Sequence, residues 1–134
     1  MKIVIDTNIL LVSISDRSPY HIIFKNFIDG KFQLCVTTDI LSEYEEIIGR
    51  LINQITADAV LKAIENSPNT ILIEKFFRFD LIKADADDNK FVDCAIASNA
   101  DYIVTNDRHI QALTSIPFPR VNILKIDDFI NLLR

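Results

Sequence analysis

The chain is short of several residue types, and each shortage removes a class of protein. It has no tryptophan, and only 2 glycines and 4 prolines in 134 residues. That leaves no composition for a flexible linker, a low-complexity tract or a second domain. The 2 cysteines are too few for a disulfide framework. Cys35 sits in the apolar run Leu34-Cys35-Val36, and Cys94 in a helix-like segment. Neither has a cysteine or histidine at metal-ligand spacing, so both read as small buried hydrophobes in a protein of the reducing cytoplasm. No apolar run approaches the roughly 18 residues of a membrane span. The apolar start Ile3 to Ile5 is interrupted at once by Asp6, so no signal peptide is expected. Positive charge is also scarce. A net charge of −5 and a pI near 4.9 exclude binding of nucleic acid through bulk basicity. They do not exclude a nuclease whose acids are covered by divalent cations.

What is present is apolar. A hydrophobic content of 49 % and a mean hydropathy of +0.21 suit one well-buried α/β domain over residues 1–134. Lys2 to Ile5 reads as a buried strand, followed by a short helix over Ile9 to Ile14. A second helix runs from about Pro19 to Asp29 and ends at Gly30. Phe32 to Val36 is the second strand. Thr37-Thr38 caps a helix from about Asp39 to Leu51. Another helix spans Thr56 to Asn66, and Thr70 to Ile73 is a strand. Glu74 to Lys83 is the least readable part, where Phe76, Phe77 and Phe79 read as core residues rather than a base-stacking platform. A helix then opens at Asp88, followed by the strand Tyr102 to Val104, a turn or two of helix over Arg108 to Leu113, a strand over Val121 to Ile126 and a final helix over Asp127 to Leu133. This alternation indicates a three-layer α/β/α sandwich on a largely parallel sheet of about five strands.

The acids fall at particular places in that pattern. Two apolar strands each end in an aspartate: Ile3-Val4-Ile5 before Asp6-Thr7-Asn8, and Tyr102-Ile103-Val104 before Thr105-Asn106-Asp107. Asp88 lies near the centre of an apolar arc formed by Phe91, Val92, Ala95, Ile96 and Asn99. A carboxylate on a core-facing arc is costly unless it is paired or metal-bound. In the third helix Glu43 flanks the apolar arc, while Glu45 lies on the opposite flank and Glu46 points away. Functional residues of parallel sheets gather at the carboxyl ends of strands, so Asp6, Glu43, Asp88 and Asp107 can converge. Two carboxylates about 4 Å apart repel by roughly 1 to 4 kcal/mol, and several together need protons or cations. A hard divalent ion such as Mg²⁺ meets that need with oxygen ligands, and the lack of a histidine or cysteine beside the acids points away from zinc. Such a site hydrolyses phosphodiesters with one or two metals. Thr7, Asn8, Thr105 and Asn106 read equally as turn or cap residues and as groups orienting the acids.

These residues together resemble the PIN domain (PilT N-terminus-like), the nuclease fold of many prokaryotic toxin-antitoxin ribonucleases. The resemblance covers nearly the whole chain and rests on four marks in order. They are Val4-Ile5-Asp6-Thr7-Asn8, the helix stretch Leu41-Ser42-Glu43-Tyr44-Glu45-Glu46-Ile47-Ile48, Asp88 with Phe91, Val92 and Ala95, and Thr105-Asn106-Asp107. It implies a Mg²⁺- or Mn²⁺-dependent endoribonuclease with Asp6, Glu43, Asp88 and Asp107 as catalytic and metal-binding acids, RNA as substrate, and a protein antitoxin and a second copy of the chain as partners. Asp93 is a further acid of a subset of such proteins, but it lies about 140° from Asp88 on an ideal wheel, off the buried arc. The family's usual glycine before the last strand is absent, with Asn99-Ala100-Asp101 in its place.

The alternative is a catalytically silent PIN-like module that binds RNA or protein. A receiver domain would want an acid pair after the first strand, and a haloacid-dehalogenase-like phosphatase Asp-x-Asp, neither of which Asp6-Thr7-Asn8 supplies. Arg50, Lys83, Lys90, Arg108 and His109 are candidates for phosphate contact and ordinary surface residues otherwise, and His21 has no assigned role.

Overall fold

The computed structural model describes residues 1–74, 76–82, 88–112 and 119–134. Lys83 and the acidic residues just before Asp88 lie outside these, as do Leu113 and Pro117. Five strands and seven helices follow in the expected order among the described residues. They are β1 (Lys2–Ile5), α1 (Thr7–Ser13), α2 (His21–Ile28), β2 (Gln33–Val36), α3 (Thr38–Leu51), α4 (Gln54–Asn66), β3 (Thr70–Leu72), α5 (Asn89–Ser98), β4 (Tyr102–Val104), α6 (Arg108–Gln111), β5 (Ile123–Leu124) and α7 (Ile126–Leu133). The sheet order is β3-β2-β1-β4-β5, and every pair is parallel. The chain winds outward from β1 to one edge and then crosses to the other side at β4. That reversal, between β1 and β4, is where a doubly wound sheet opens a crevice beyond its strand ends.

Local chemistry explains most element boundaries. Ile3, Val4 and Ile5 are almost wholly buried, as are Leu34, Cys35 and Val36 and the pair Ile103 and Val104. Continuous apolar runs of this kind belong to parallel strands covered on both faces. Thr37 caps α3 by accepting from the Ile40 N–H, and Asn53 caps α4 by accepting from the Thr56 N–H. The asparagine cap starts α4 two residues earlier than its apolar spacing suggests. Likewise α2 begins at His21 rather than near Pro19, which lies in the preceding turn. Gly30 follows α2 with φ +79°, and Asn99 ends α5 with φ 54°. Asparagine tolerates this left-handed geometry, so it takes the stop position where the glycine is missing. Asn99 is therefore exposed, not on the apolar arc of α5.

The least readable segment has a definite job. It lies along α5 and is tied down by two polar side chains of that helix. Asn89 accepts from the Ile82 N–H at 2.8 Å and donates to the Ile82 carbonyl at 2.9 Å. Asp93 accepts from the Phe79 N–H at 3.0 Å. Asp93 is thus buried, contrary to its position on a helical wheel, because the strap covers a second face of α5. Burial raises its carboxyl pKa, the Phe79 N–H lowers it, Asp80 raises it and Arg78 lowers it. The strap's phenylalanines are not core residues as expected. Phe77 is 80 % exposed and Phe79 39 %, and the two rings meet edge to face at 6.4 Å. Replacing Asn89 with alanine removes both bonds to Ile82. The expected cost is about 1–3 kcal/mol, read as roughly tenfold or faster amide exchange across residues 79–82 with α3 and α4 unaffected.

Candidate active site

Each acid is delivered by a different element. Asp6 follows β1, and its backbone N–H continues the ladder to the Val104 carbonyl at 3.1 Å. Its side chain is 7 % exposed and accepts a 2.7 Å hydrogen bond from the Thr105 hydroxyl. That hydroxyl in turn accepts from the Asp107 N–H at 3.0 Å. Thr105 thus ties the two strand ends on either side of the crevice. Asp107 caps α6, its Oδ1 accepting from the His109 and Ile110 N–H groups. Asp88 stands at the N-cap of α5, with Oδ2 closed off from solvent.

Three of these donors meet. A carboxylate oxygen of Asp88, one of Asp107 and a ring nitrogen of His109 all lie within 4.8 Å of one another. Asp6 joins Asp107 in lining a cleft of about 310 Å³, together with Asn8, Tyr20, Asn106 and Ile126. Burial is the largest cause of a raised Asp6 pKa. The Thr105 hydrogen bond opposes it, and the nearby charges of Asp107 and Glu43 add to it. A desolvated acid beside two others is the electrostatic situation that a cation relieves.

Glu43 belongs to the same neighbourhood but is held differently. Thr7, the residue after Asp6, donates its hydroxyl to Glu43 Oε2. Lys90 donates to Glu43 Oε1 at 2.7 Å. Glu43 therefore lies outside the three-donor group, on a flank shared with Asp39, Ser42, Glu46 and Lys90. The adjacent Tyr44 is fully buried and donates to the Ile5 carbonyl, anchoring α3 one residue before Asp6. Of the four turn residues, Thr7 and Thr105 touch acids, Asn106 caps α7 by accepting from the Ile126 N–H at 3.1 Å, and Asn8 lines the cleft.

His109 is the residue that sequence reasoning missed, and the lack of a neighbouring imidazole is no argument against zinc here. Its signal was the spacing Asp-x-His after a strand end, which places the ring back over the Asp107 carboxylate (Nδ1 to Oδ1, 3.8 Å). His21 by contrast bonds the Ser13 carbonyl at 2.9 Å, a packing role. Both cysteines are free and buried, and burial pushes the Cys94 thiol up to about 12, so it is inert.

Compared with known families, residues 2–109 match the PIN domain. The chain belongs to the PIN-domain family. The PIN fold is shared with the crystal structure of VapBC2 from Rickettsia felis bound to a DNA fragment from their promoter. There the TM-score is 0.64 at 15 % identity, over 93 % of this chain and 98 % of that one. None of the curated proteins compared with the sequence matches it. The four acids expected of a PIN domain stand at the crevice end of β1, on α3, at the start of α5 and after β4.

The donor set fits a divalent cation. Carboxylates of Asp88 and Asp107 offer hard oxygens, and Asp6 lies near Asp107 with its charge poorly solvated. His109 adds a nitrogen, which a transition ion such as Mn²⁺ accepts more readily than Mg²⁺ does. No helix among the described residues is long and apolar enough to cross a membrane.

Proposed function

We propose that this PIN domain is a metal-dependent endoribonuclease and the toxin of a toxin-antitoxin pair. The observation that carries the nuclease reading is the meeting of Asp88, Asp107 and His109 beside the buried Asp6, at the point where the sheet reverses its winding. Asp6, Asp88 and Asp107 would hold Mg²⁺ or Mn²⁺, with His109 favouring Mn²⁺. When bound, such an ion neutralises phosphoryl oxygens and lowers the pKa of a water. The chain's own residues do the rest. Thr105 fixes the Asp6 carboxylate, and Asn106 holds α7 so that Ile126 walls the cleft. The cleft has room for a phosphodiester and its ions. The toxin assignment is supported by the fold shared with VapBC2, with an antitoxin and a second copy of the chain as partners.

The test is cleavage of a single-stranded RNA while Mg²⁺ and Mn²⁺ are titrated. Internal cuts should appear only with metal and stop with EDTA. Cleavage that survives EDTA would overturn the reading, and RNA retained without turnover would mark a silent binding module. The electrostatics add a prediction with a sign. Metal binding needs the ionised Asp6, whose proton is held more firmly than in an ordinary carboxyl. The rise in Tm produced by Mn²⁺ should therefore be smaller in mildly acidic than in neutral solution. At a free concentration about 100 times Kd it should correspond to about 2.7 kcal/mol. Differential scanning fluorimetry across pH would show this, and a shift independent of pH would contradict it.

A further inference from the structure

Glu43 and Lys90 form a joint that the metal-binding scheme does not use. Both oxygens of Glu43 are engaged, one by the Thr7 hydroxyl and one by the Lys90 ammonium at 2.7 Å. The two side chains are each 22 % exposed, so the pair is half sunk in the protein. The pair brings a lysine ammonium directly onto a carboxylate. Lys90 stands in the first turn of α5, where the helix dipole disfavours a cation. Its placement therefore follows the acids, not the helix.

Charge arithmetic gives the joint a purpose. Asp6, Glu43, Asp88 and Asp107 carry up to four negative charges, of which one divalent ion offsets two and the Lys90 ammonium a third. Two-metal phosphodiesterase sites instead place a second ion about 4 Å from the first. Here the ion-like group at the Glu43 end is already part of the chain. The flank otherwise presents Asp39, Ser42 and Glu46, so Lys90 is the attractive group for a phosphate among the residues lining it.

We infer that Lys90 is the second cation of this site. It keeps Glu43 out of metal ligation and contacts a non-bridging oxygen of the bound RNA phosphodiester. This deepens the nuclease reading and rests on it. Glu43 then is a positioning residue. It aims the ammonium, and Thr7 fixes the carboxylate. Lysine suits the task, since it binds phosphate as a point charge on a flexible stem.

The deciding experiment counts Mn²⁺ by electron paramagnetic resonance in RNA-free protein. Wild type should hold one tight ion. Lys90→Met, which keeps the apolar stem, should hold two, and Lys90→Met with Glu43→Gln should return to one. Two tight ions in wild type, or one in Lys90→Met, would overturn the inference. A second readout follows binding of an unmodified single-stranded RNA against salt, with Ca²⁺ in place of Mn²⁺ to hold off cleavage. Lys90→Met should lower the slope of log K on log salt by about 0.7, the share of one phosphate contact on a single strand, and Lys90→Arg should restore it. An unchanged slope would reduce Lys90 to a structural role. If wild type binds Mn²⁺ and RNA yet never cuts, the nuclease proposal fails alone, and the ion count and salt slope still decide the role of Lys90.

Discussion

Asp6→Asn should cut metal-dependent RNA cleavage by about 10³-fold while making the metal-free protein more stable at neutral pH. The loss follows from the several kcal/mol that a correctly held ion contributes at a developing phosphoryl charge, each 1.36 kcal/mol being tenfold in rate. The gain follows from linkage. Burial first, and then the charges of Asp107 and Glu43, raise the folded pKa of Asp6 above its ordinary value, against the Thr105 hydrogen bond. The folded state thus holds this proton more tightly than the unfolded chain does. Wild-type stability from this group is complete below the unfolded pKa and is lost as pH rises through the raised folded one. Asparagine cannot ionise, and its amide oxygen still accepts from Thr105. The Tm of the metal-free variant should exceed that of wild type at about pH 7 to 8, and the gap should close near pH 4. A variant that cleaves RNA normally, or that is less stable than wild type at both pH values, would show that Asp6 is an ordinary buried hydrogen-bonded carboxylate.

The legibility of this acid in the sequence has a physical basis. A parallel strand covered on both faces must be an unbroken apolar run, so the first polar residue after it marks the sheet's carboxyl edge. Asp6 and Asp107 were readable for that reason, and so was the succession of elements. Two other features were hidden because they depend on contacts between segments. Asp93 lies off the apolar arc of α5, and a wheel assumes that a helix buries a single face. The strap over residues 76–82 covers another, and Asp93 and Asn89 become its anchors. The same strap turns Phe77 outward, although its composition suggests core. His109 is half exposed and reads as surface. Only the cap that Asp107 makes on α6 folds the imidazole back toward Asp88. Glu43 sits between these cases. Its wheel position shows the flank it faces, but its partner Lys90 is 47 residues away in the chain.

The wall of the cleft depends on packing far from any acid, and Phe129→Ala should expose that dependence. Phe129 is wholly buried. Its ring meets Phe32 edge to face at 5.3 Å, and Phe32 continues to Phe27 at 6.0 Å and on to Phe24. This aromatic file ties α7 to α2 and the start of β2. Truncation removes the transfer free energy of the ring and leaves a cavity that packed neighbours close only in part. The cost should be about 3–5 kcal/mol, a large share of the roughly 5–15 kcal/mol that holds a domain of this kind together. Urea unfolding should show the midpoint falling with an unchanged slope. Saturating Mn²⁺ should recover part of the loss, since the donors stand just after β1 and β4, at the start of α5 and on α6, and not on α7. Phe129→Leu should cost less than Phe129→Ala, because it refills most of the space. A Phe129→Ala cost below about 1 kcal/mol would mean that the Asn106 cap and the backbone of α7 hold the wall by themselves. Ile126 would then keep its place in the cleft without the aromatic file behind it.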